Sequence, residues 1–371
     1  MGRVMVPRRW QKRYGTLTPR TTAKTKMATI RDVAQKARVS TATVSYVINK
    51  SRYVSPELTK RVQKVIKELA FTPSRIAQGL RGGKTHTLGL IIDDITNRFA
   101  SQFIRGLENA ASVNHYGIII SDLQEMRENE ERSFGMLVAR KVDGIIYCGY
   151  GQIERKLTEL NAQGTPVVAV DKPLAEGLLT SVVVNNRSGV WQSLEHLAGL
   201  GISEIVYING LEINRNALLR AEAFREFMAS RRFPMEDDSV VFGDFTLEHG
   251  YETALRLVRS GRRFKALLCG DDIVAFGAMA ALKSCGLRIP EDVAVVGFDD
   301  DPMAPIFDPS LTTVHYPMFE MGRLSFQTFQ RLAGSKPKKP TTILIDTRLV
   351  VRRSTDALFR DYHTPVEVTG P

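Results

Sequence analysis

The sequence is poor in the residues that staple, metallate or anchor a chain. It has three cysteines, Cys148, Cys269 and Cys285, and no two of them form a CxxC pair. That excludes a disulfide framework and a thiolate zinc site. Each thiol lies in or beside an apolar run and reads as a small buried hydrophobe, which suits a reducing cytoplasm. The six histidines, His115, His196 and His315 among them, show no metal-ligand spacing. His315 reads as structural, with polar lining of a crossover as the alternative. No run of about 18 apolar residues exists, so no membrane span is expected. Residues 1–26 lack the apolar stretch of a secretory signal. No G-x-G-x-x-G follows the first predicted strand. Gly82-Gly83-Lys84-Thr85 fails as a phosphate loop, because Gln78 stands where the motif needs glycine and the segment precedes a strand instead of following it. With no nucleophile–base pair either, no catalytic residue, cofactor or metal is expected.

What is present is length and an uneven charge. At 371 residues the chain exceeds one compact core, and 43% hydrophobic with 25% charged residues is ordinary for a globular protein. Residues 1–84 hold 20 Lys and Arg against three Asp and Glu, a net of +17, whereas the remainder holds 31 against 37, a net of −6. A basic block of this size attracts phosphate by Coulomb attraction and counterion release. Residues 1–26 carry Arg8, Arg9, Lys12, Arg13, Arg20, Lys24 and Lys26, no acid and no hydrophobic period. They are expected to be a disordered basic extension upstream of folded sequence that begins near Met27, with a DNA-contacting arm as the alternative.

Three short helices are predicted next. Ile30, Val33, Ala34 and Ala37 share one face of the first. A tight turn at Arg38-Val39 leads to a second, capped by Ser40 or Thr41, that runs to Asn49 with Val44, Val47 and Ile48 inside. Ser55 caps a third that Pro56 opens, with Leu58, Val62, Val65 or Ile66, and Leu69 facing inward. Two short helices joined by a tight turn make a helix-turn-helix, whose second helix enters the major groove. Thr41, Ala42, Ser45 and Tyr46 remain on its outer, N-terminal part to meet base edges. Arg31, Arg52, Lys60 and Arg61 are phosphate candidates, which position without specifying sequence.

From Thr87 the pattern alternates. Apolar runs at 87–92, 117–121, 144–148, 167–170, 182–185, 205–209, 266–269 and 293–298 read as strands. Helical patterns fall between most of them, for example at 99–114, 127–140, 188–200, 216–231, 247–260 and 272–285. Repeated βαβ units imply parallel sheets covered on both faces, with ligands at the carboxyl ends of strands.

Thr29-Ile30-Arg31-Asp32-Val33-Ala34, Val39-Ser40-x-x-Thr43-Val44-Ser45 and Val47-Ile48-Asn49 resemble the signature of the LacI/GalR repressor family, and Val54-Ser55, Phe71-Thr72-Pro73-Ser74 and Ala77-x-x-Leu80 continue it. The resemblance extends over residues 28–355. It implies an all-α helix-turn-helix domain (27–72), a hinge (73–84), an α/β two-lobed core like that of periplasmic sugar-binding proteins (85–355) and a tail (356–371). It also implies a homodimer on a palindromic operator, with Asn49 and Arg75 among the DNA-contacting residues. The hinge helix Ser74–Leu80 would enter the minor groove and Leu80 would wedge between base steps. No heptad pattern follows Thr355, so a dimer and not a coiled-coil tetramer is expected. Arg38 departs from a common turn glycine, and Tyr46 from a basic or His reading residue.

For the core, the resemblance places Asn97-Arg98-Phe99 on the first lobe, with Arg98 where Pro is frequent. It matches Arg220-x-x-Ala223-Phe224 to the family's arginine motif, with Ala223 for Gly. Asp299 in Val296-Gly297-Phe298-Asp299-Asp300 is the implied ligand-facing carboxylate. Cys269-Gly270-Asp271-Asp272 departs at Asp271, where Asn is usual. Asp94, Asp171, Asp271 and Asp299 with Arg220, and Phe99 and Phe245 as platforms, suit a sugar or sugar derivative, because carboxylates and guanidinium pair with vicinal hydroxyls while rings cover apolar faces. Asp272, at a helix start, is expected to be a cap. The additional carboxylate of Asp271 is expected to disfavour anions unless Arg98, Lys172 and Arg220 offset it. An α/β enzyme with a nucleic-acid tether and a sugar-transport protein are the other two readings. The first lacks catalytic residues and the second lacks a signal sequence.

Overall fold

The computed structural model describes residues 28–71, 84–96, 98–124, 126, 128–149, 151–171, 177–334 and 339–356, and the side chains of Arg98 and Phe99 lie outside that description. Arg75, Leu80, Asn97 and Lys172 also lie outside it. The chain divides into two compact units that meet in sequence at Lys84 and Thr85.

The first unit holds α1 (Ile30–Ala37), α2 (Thr41–Asn49) and α3 (Pro56–Glu68). Thr29 caps α1 in a box with Asp32, Ser40 caps α2 by accepting from Thr43 N–H at 3.0 Å, and Ser55 caps α3, with Pro56 in the first turn. Arg38 takes φ 53°, the left-handed conformation, so that its own N–H and that of Val39 (3.0 Å to the Ala34 carbonyl) close the end of α1. A side chain is accepted here where glycine is cheaper, because the turn must be tight enough to fold α2 back on α1. Val33, Ala34, Ala37, Val44, Val62 and Val65 form the core, with Val47, Ile48 and Leu69 packed at its edge. Each fully buried valine contributes about 1.5–3 kcal/mol.

The second unit contains two six-stranded sheets. The first runs β11 (Thr342–Ile345), β5 (Thr180–Val184), β4 (Val167–Val170), β3 (Gly144–Cys148), β1 (Thr87–Ile92) and β2 (Gly117–Asp122), all neighbours parallel. Leu88, Leu90 and Ile92 face one core and Ile91 the other, so the strand is apolar on both faces, as a doubly covered sheet requires. Helices α4 (Arg98–Val113) and α11 (Met318–Ala333) pack on one face, and α5 (Asn129–Ala139) and α6 (Glu154–Ala162) on the other.

The second sheet runs β12 (Arg348–Val350), β10 (Thr312–His315), β9 (Ala294–Asp299), β8 (Ala266–Cys269), β6 (Ile205–Ile208) and β7 (Val240–Val241). Only the β10–β12 pairing is antiparallel. It is covered by α7 (Asn186–Gly199) and α8 (Arg215–Ser230) on one side and by α9 (Leu247–Arg259) and α10 (Asp272–Ser284) on the other.

The chain crosses between the lobes at Asn185, at Tyr316-Pro317 and at Asp346-Thr347. The first and third crossings are zipped together: Asn185 N–H donates to the Ile345 carbonyl at 2.8 Å, and its side-chain amide donates to Asp346 at 3.2 Å. Cys148 and Cys269 are buried as expected, but Cys285 is exposed, because it caps the C-terminal end of α10 instead of continuing its apolar face.

Candidate functional site

The centre of the second unit is Arg220. It lies on α8 with its guanidinium 3.7 Å above the Phe298 ring and 5.5 Å from Tyr316. Its Nε donates to Asn186 Oδ1 and one Nη to the Gly270 carbonyl, each at 2.7 Å. Asn186 in turn donates to Asn216 at 3.2 Å, one helical turn before Arg220 on the same face of α8. The Asn216 amide then reaches out of the second lobe to Asp171 at 2.9 Å, just past β4 of the first. The Tyr316 hydroxyl, at the second crossing, donates to the other oxygen of Asp171. Asp171 is held at φ 62°, which directs its side chain to this junction. One polar network therefore ties the first lobe, two crossings and the second lobe together at the carboxyl ends of the strands.

Two further carboxylates stand beside it. Leu268 of β8 pairs with Val296 of β9, so Asp271 and Asp299, each three residues on, are neighbours at the same sheet end. Asp271 is the N-cap of α10 and accepts from Val274 N–H at 2.7 Å. Burial pushes its carboxyl up to about 6 against the pull of the helix amides and Arg220. The carboxylate of Asp299, a residue at φ 110°, accepts no hydrogen bond among the described residues. Burial pushes it up to about 8; Arg220 opposes the rise, and Asp271, Asp171 and Asp301 add to it. The expected cap Asp272 is displaced from that role, because Asp271 takes it. Asp272 instead accepts from Thr313 Oγ1 at 2.5 Å and Asp301 N–H at 2.6 Å, locking β10 and the loop between β9 and β10 to α10, and burial holds its carboxyl well above the usual range.

Of the sequence-predicted ligand residues, Asp171, Arg220, Asp271 and Asp299 thus converge. Phe245 joins them at one remove: its ring lies on Gly210, where a Cβ would fall 1.9 Å from Cζ, and Gly210 abuts Gly270. Asp94 is engaged locally, by Thr96 N–H and hydroxyl at 2.7 Å each, and the Arg220 cluster is built without it. Phe99 falls in the first turn of α4, its side chain outside the described residues. Sequence reading missed Asn186, Asn216 and Tyr316. Asn186 follows a predicted strand and was open to the strand-end rule; Tyr316 directly follows β10, a strand that the periodicity does not reveal. His315 bonds Asp300 at 2.9 Å, as does Arg352 at 2.7 Å, which fits the structural reading.

In the helical unit the outer face of α2 is polar. Ala42 and Asn49 are exposed, and Thr41, Ser45 and Tyr46 are half-buried. Asn49 donates to Ser45 at 3.2 Å, and the Arg52 guanidinium lies 5.3 Å from the Tyr46 ring. Arg31 and Arg52 are exposed.

Two known families match. Residues 29–74 match bacterial regulatory proteins of the lacI family, and residues 194–355 match a periplasmic binding protein-like domain. The HTH-type transcriptional repressor PurR of Yersinia pestis is 32% identical over 339 residues, covering 91% of this chain and 99% of that protein. The lac repressor dimer bound to operator and the anti-inducer ONPF superposes with a TM-score of 0.82 at 25% identity, over 89% of this chain and 99% of that one. The transcriptional regulator CelR in complex with cellobiose superposes with a TM-score of 0.66 at 28% identity, over 88% and 99%.

Proposed function

Because this chain belongs to the LacI family of bacterial regulatory proteins, we infer how its two units divide the work of a sequence-specific DNA-binding transcriptional regulator that is not an enzyme. The helical unit, residues 27–72, reads a palindromic operator as a homodimer. Thr41, Ala42, Ser45 and Tyr46 meet base edges, Arg31, Asn49, Arg52 and Arg75 hold phosphates, and Leu80 of the 73–84 hinge enters the minor groove. The exposed, polar outer face of α2 over a closed apolar core supports this assignment. The protein acts in the cytoplasm as a repressor.

The core, residues 85–355, binds a small effector, a sugar or sugar derivative, between its lobes. The observation that carries this reading is the Asn216–Asp171 bond, which continues into Arg220 and crosses from one lobe to the other. A ligand that engages Asp171, Arg220, Asp271 and Asp299, with Phe245 at its side, exchanges those bonds for its own. It favours one lobe arrangement by its difference in affinity for the two, and operator binding follows. The CelR–cellobiose complex supports a sugar as the ligand class.

The test is operator selection from random DNA with the full chain, followed by titration of the selected duplex against a scrambled one at fixed salt. At least a 10³-fold preference is expected. Equal affinity for both duplexes would overturn the sequence-specific assignment.

A further inference from the structure

A side chain that reads bases discriminates best when it is already in place, because every rotamer left open is another way to meet a wrong base. On α2 itself, Tyr46 has little to hold it. It is half-buried on the outer face, with exposed Ala42 four residues before it and exposed Lys50 four residues after it. Residues at that spacing are neighbours on a helix surface, and Ala42 is too short to restrain a ring. The Tyr46 hydroxyl makes no hydrogen bond among the described residues.

The connection from α2 to α3 supplies the restraint. Lys50 caps α2 in the left-handed conformation, φ 49°, and turns the backbone off the helix. At the other end the Val54 carbonyl accepts from the Thr59 hydroxyl at 3.4 Å, and Ser55 accepts from Leu58 N–H at 3.4 Å. The connection is thus pinned at both ends. Arg52, in its middle, returns over α2 with its guanidinium above the Tyr46 ring, 5.3 Å from the ring centroid. That is within the distance at which a cation is attracted to an aromatic face. The adjacent Tyr53 is 89% exposed, so the connection folds back the cation and not the second ring. Arg52 has no carboxylate partner among the described residues. A guanidinium above a ring keeps its N–H edge free, so Arg52 can hold Tyr46 and donate to a phosphate at once.

Resting on the assignment of the helical unit to operator binding, we propose that Arg52 is a positioning residue for base reading. It fixes the Tyr46 ring on the outer face of α2 and thereby sets the base preference at the position that Tyr46 meets. A phosphate contact, when lost, weakens every sequence alike. A positioning residue loses discrimination at one base pair.

The test uses the full chain, its selected operator and duplexes that carry each single base change across the half-sites, with binding read by fluorescence anisotropy at several salt concentrations. Tyr46→Ala identifies the base pair at which discrimination collapses. Arg52→Gln is expected to lower discrimination at that same pair by about threefold or more. The double variant is expected to discriminate there no worse than Tyr46→Ala, because the two side chains act as one. Arg31→Gln is the contrast, expected to weaken all duplexes alike and to reduce the salt slope by about 1. Arg52 is exposed and outside the apolar core of α1–α3, so its variant keeps the fold. Unchanged discrimination at that pair in Arg52→Gln, whether or not overall affinity falls, overturns the proposal. So does a double variant in which the two losses add. A Tyr46→Ala variant that discriminates as the wild type does removes Tyr46 from base reading and the proposal with it. Equal wild-type affinity for all duplexes instead sinks the sequence-specific reading on which the proposal rests.

Discussion

Neutralising Asp299 is predicted to stabilise the ligand-free protein, and to do so only when the solution is alkaline enough to ionise it. In the folded protein the carboxyl titrates near 8, against an ordinary 3.8. Between those values the folded state holds a proton that the unfolded chain has released. Folding stability therefore falls as pH rises through that window and is lowest above 8. At about 1.4 kcal/mol per unit the full shift amounts to about 5–6 kcal/mol. Asp299 is only half-buried, so water screens it in part, and about half that value, ~2–3 kcal/mol, is the working expectation. Arg220 keeps its bonds to Asn186 and Gly270 in the variant, and Asn tolerates the positive φ of the site. Asp299→Asn should therefore melt higher than the wild type by roughly 3–5 °C at pH 8.5. The two curves should draw together toward pH 4.5, where the wild-type carboxyl is protonated in the folded state. Thermal unfolding of the full chain at several pH values is the assay. A variant less stable than wild type at pH 8.5, or an offset that does not change with pH, would refute the electrostatic account of the cleft.

Three other outcomes follow from single contacts. Arg38→Gly should raise the stability of the helical unit by roughly 1 kcal/mol, because the left-handed conformation at φ 53° is costly for a side chain; denaturant unfolding of that unit reads it, and no gain would show the turn to be unstrained. Val44→Ala should destabilise the same unit by ~1–3 kcal/mol, seen as a lower melting temperature and weaker operator binding together. Gly210→Ala places a Cβ 1.9 Å from Phe245 Cζ and should displace the ring, weakening the response to effector while leaving α1–α3 unchanged; an intact response would remove Phe245 from the ligand site.

The helical unit was legible from the sequence almost to the residue. Ser40, Ser55 and Pro56 mark helix starts by local chemistry, and Val33, Ala37, Val44 and Val62 repeat with the helical period. Those signals act within a few residues, so one strand of text carries them. The doubly covered strands were legible for a related reason: a strand buried on both faces must be apolar throughout, as 87–92 and 144–148 are. Beyond Phe298 the reading faded. β10 (Thr312–His315) mixes threonines with one valine, and β11 is half exposed; pairing with neighbours, not an apolar run, makes them strands.

The sequence by itself determined that the chain has a basic helical front, an alternating α/β core and strand-end acids. Whether Asp271 or Asp272 caps α10 was beyond it, since either residue type can accept the free N–H groups and only the backbone angle at Asp271 decides. The joining of Asp171 to Asn216 was also beyond it, because 45 residues and two lobes separate them and no local preference encodes the meeting. Residue type thus sets which groups can bond, while the three crossings between the lobes set which groups come within reach.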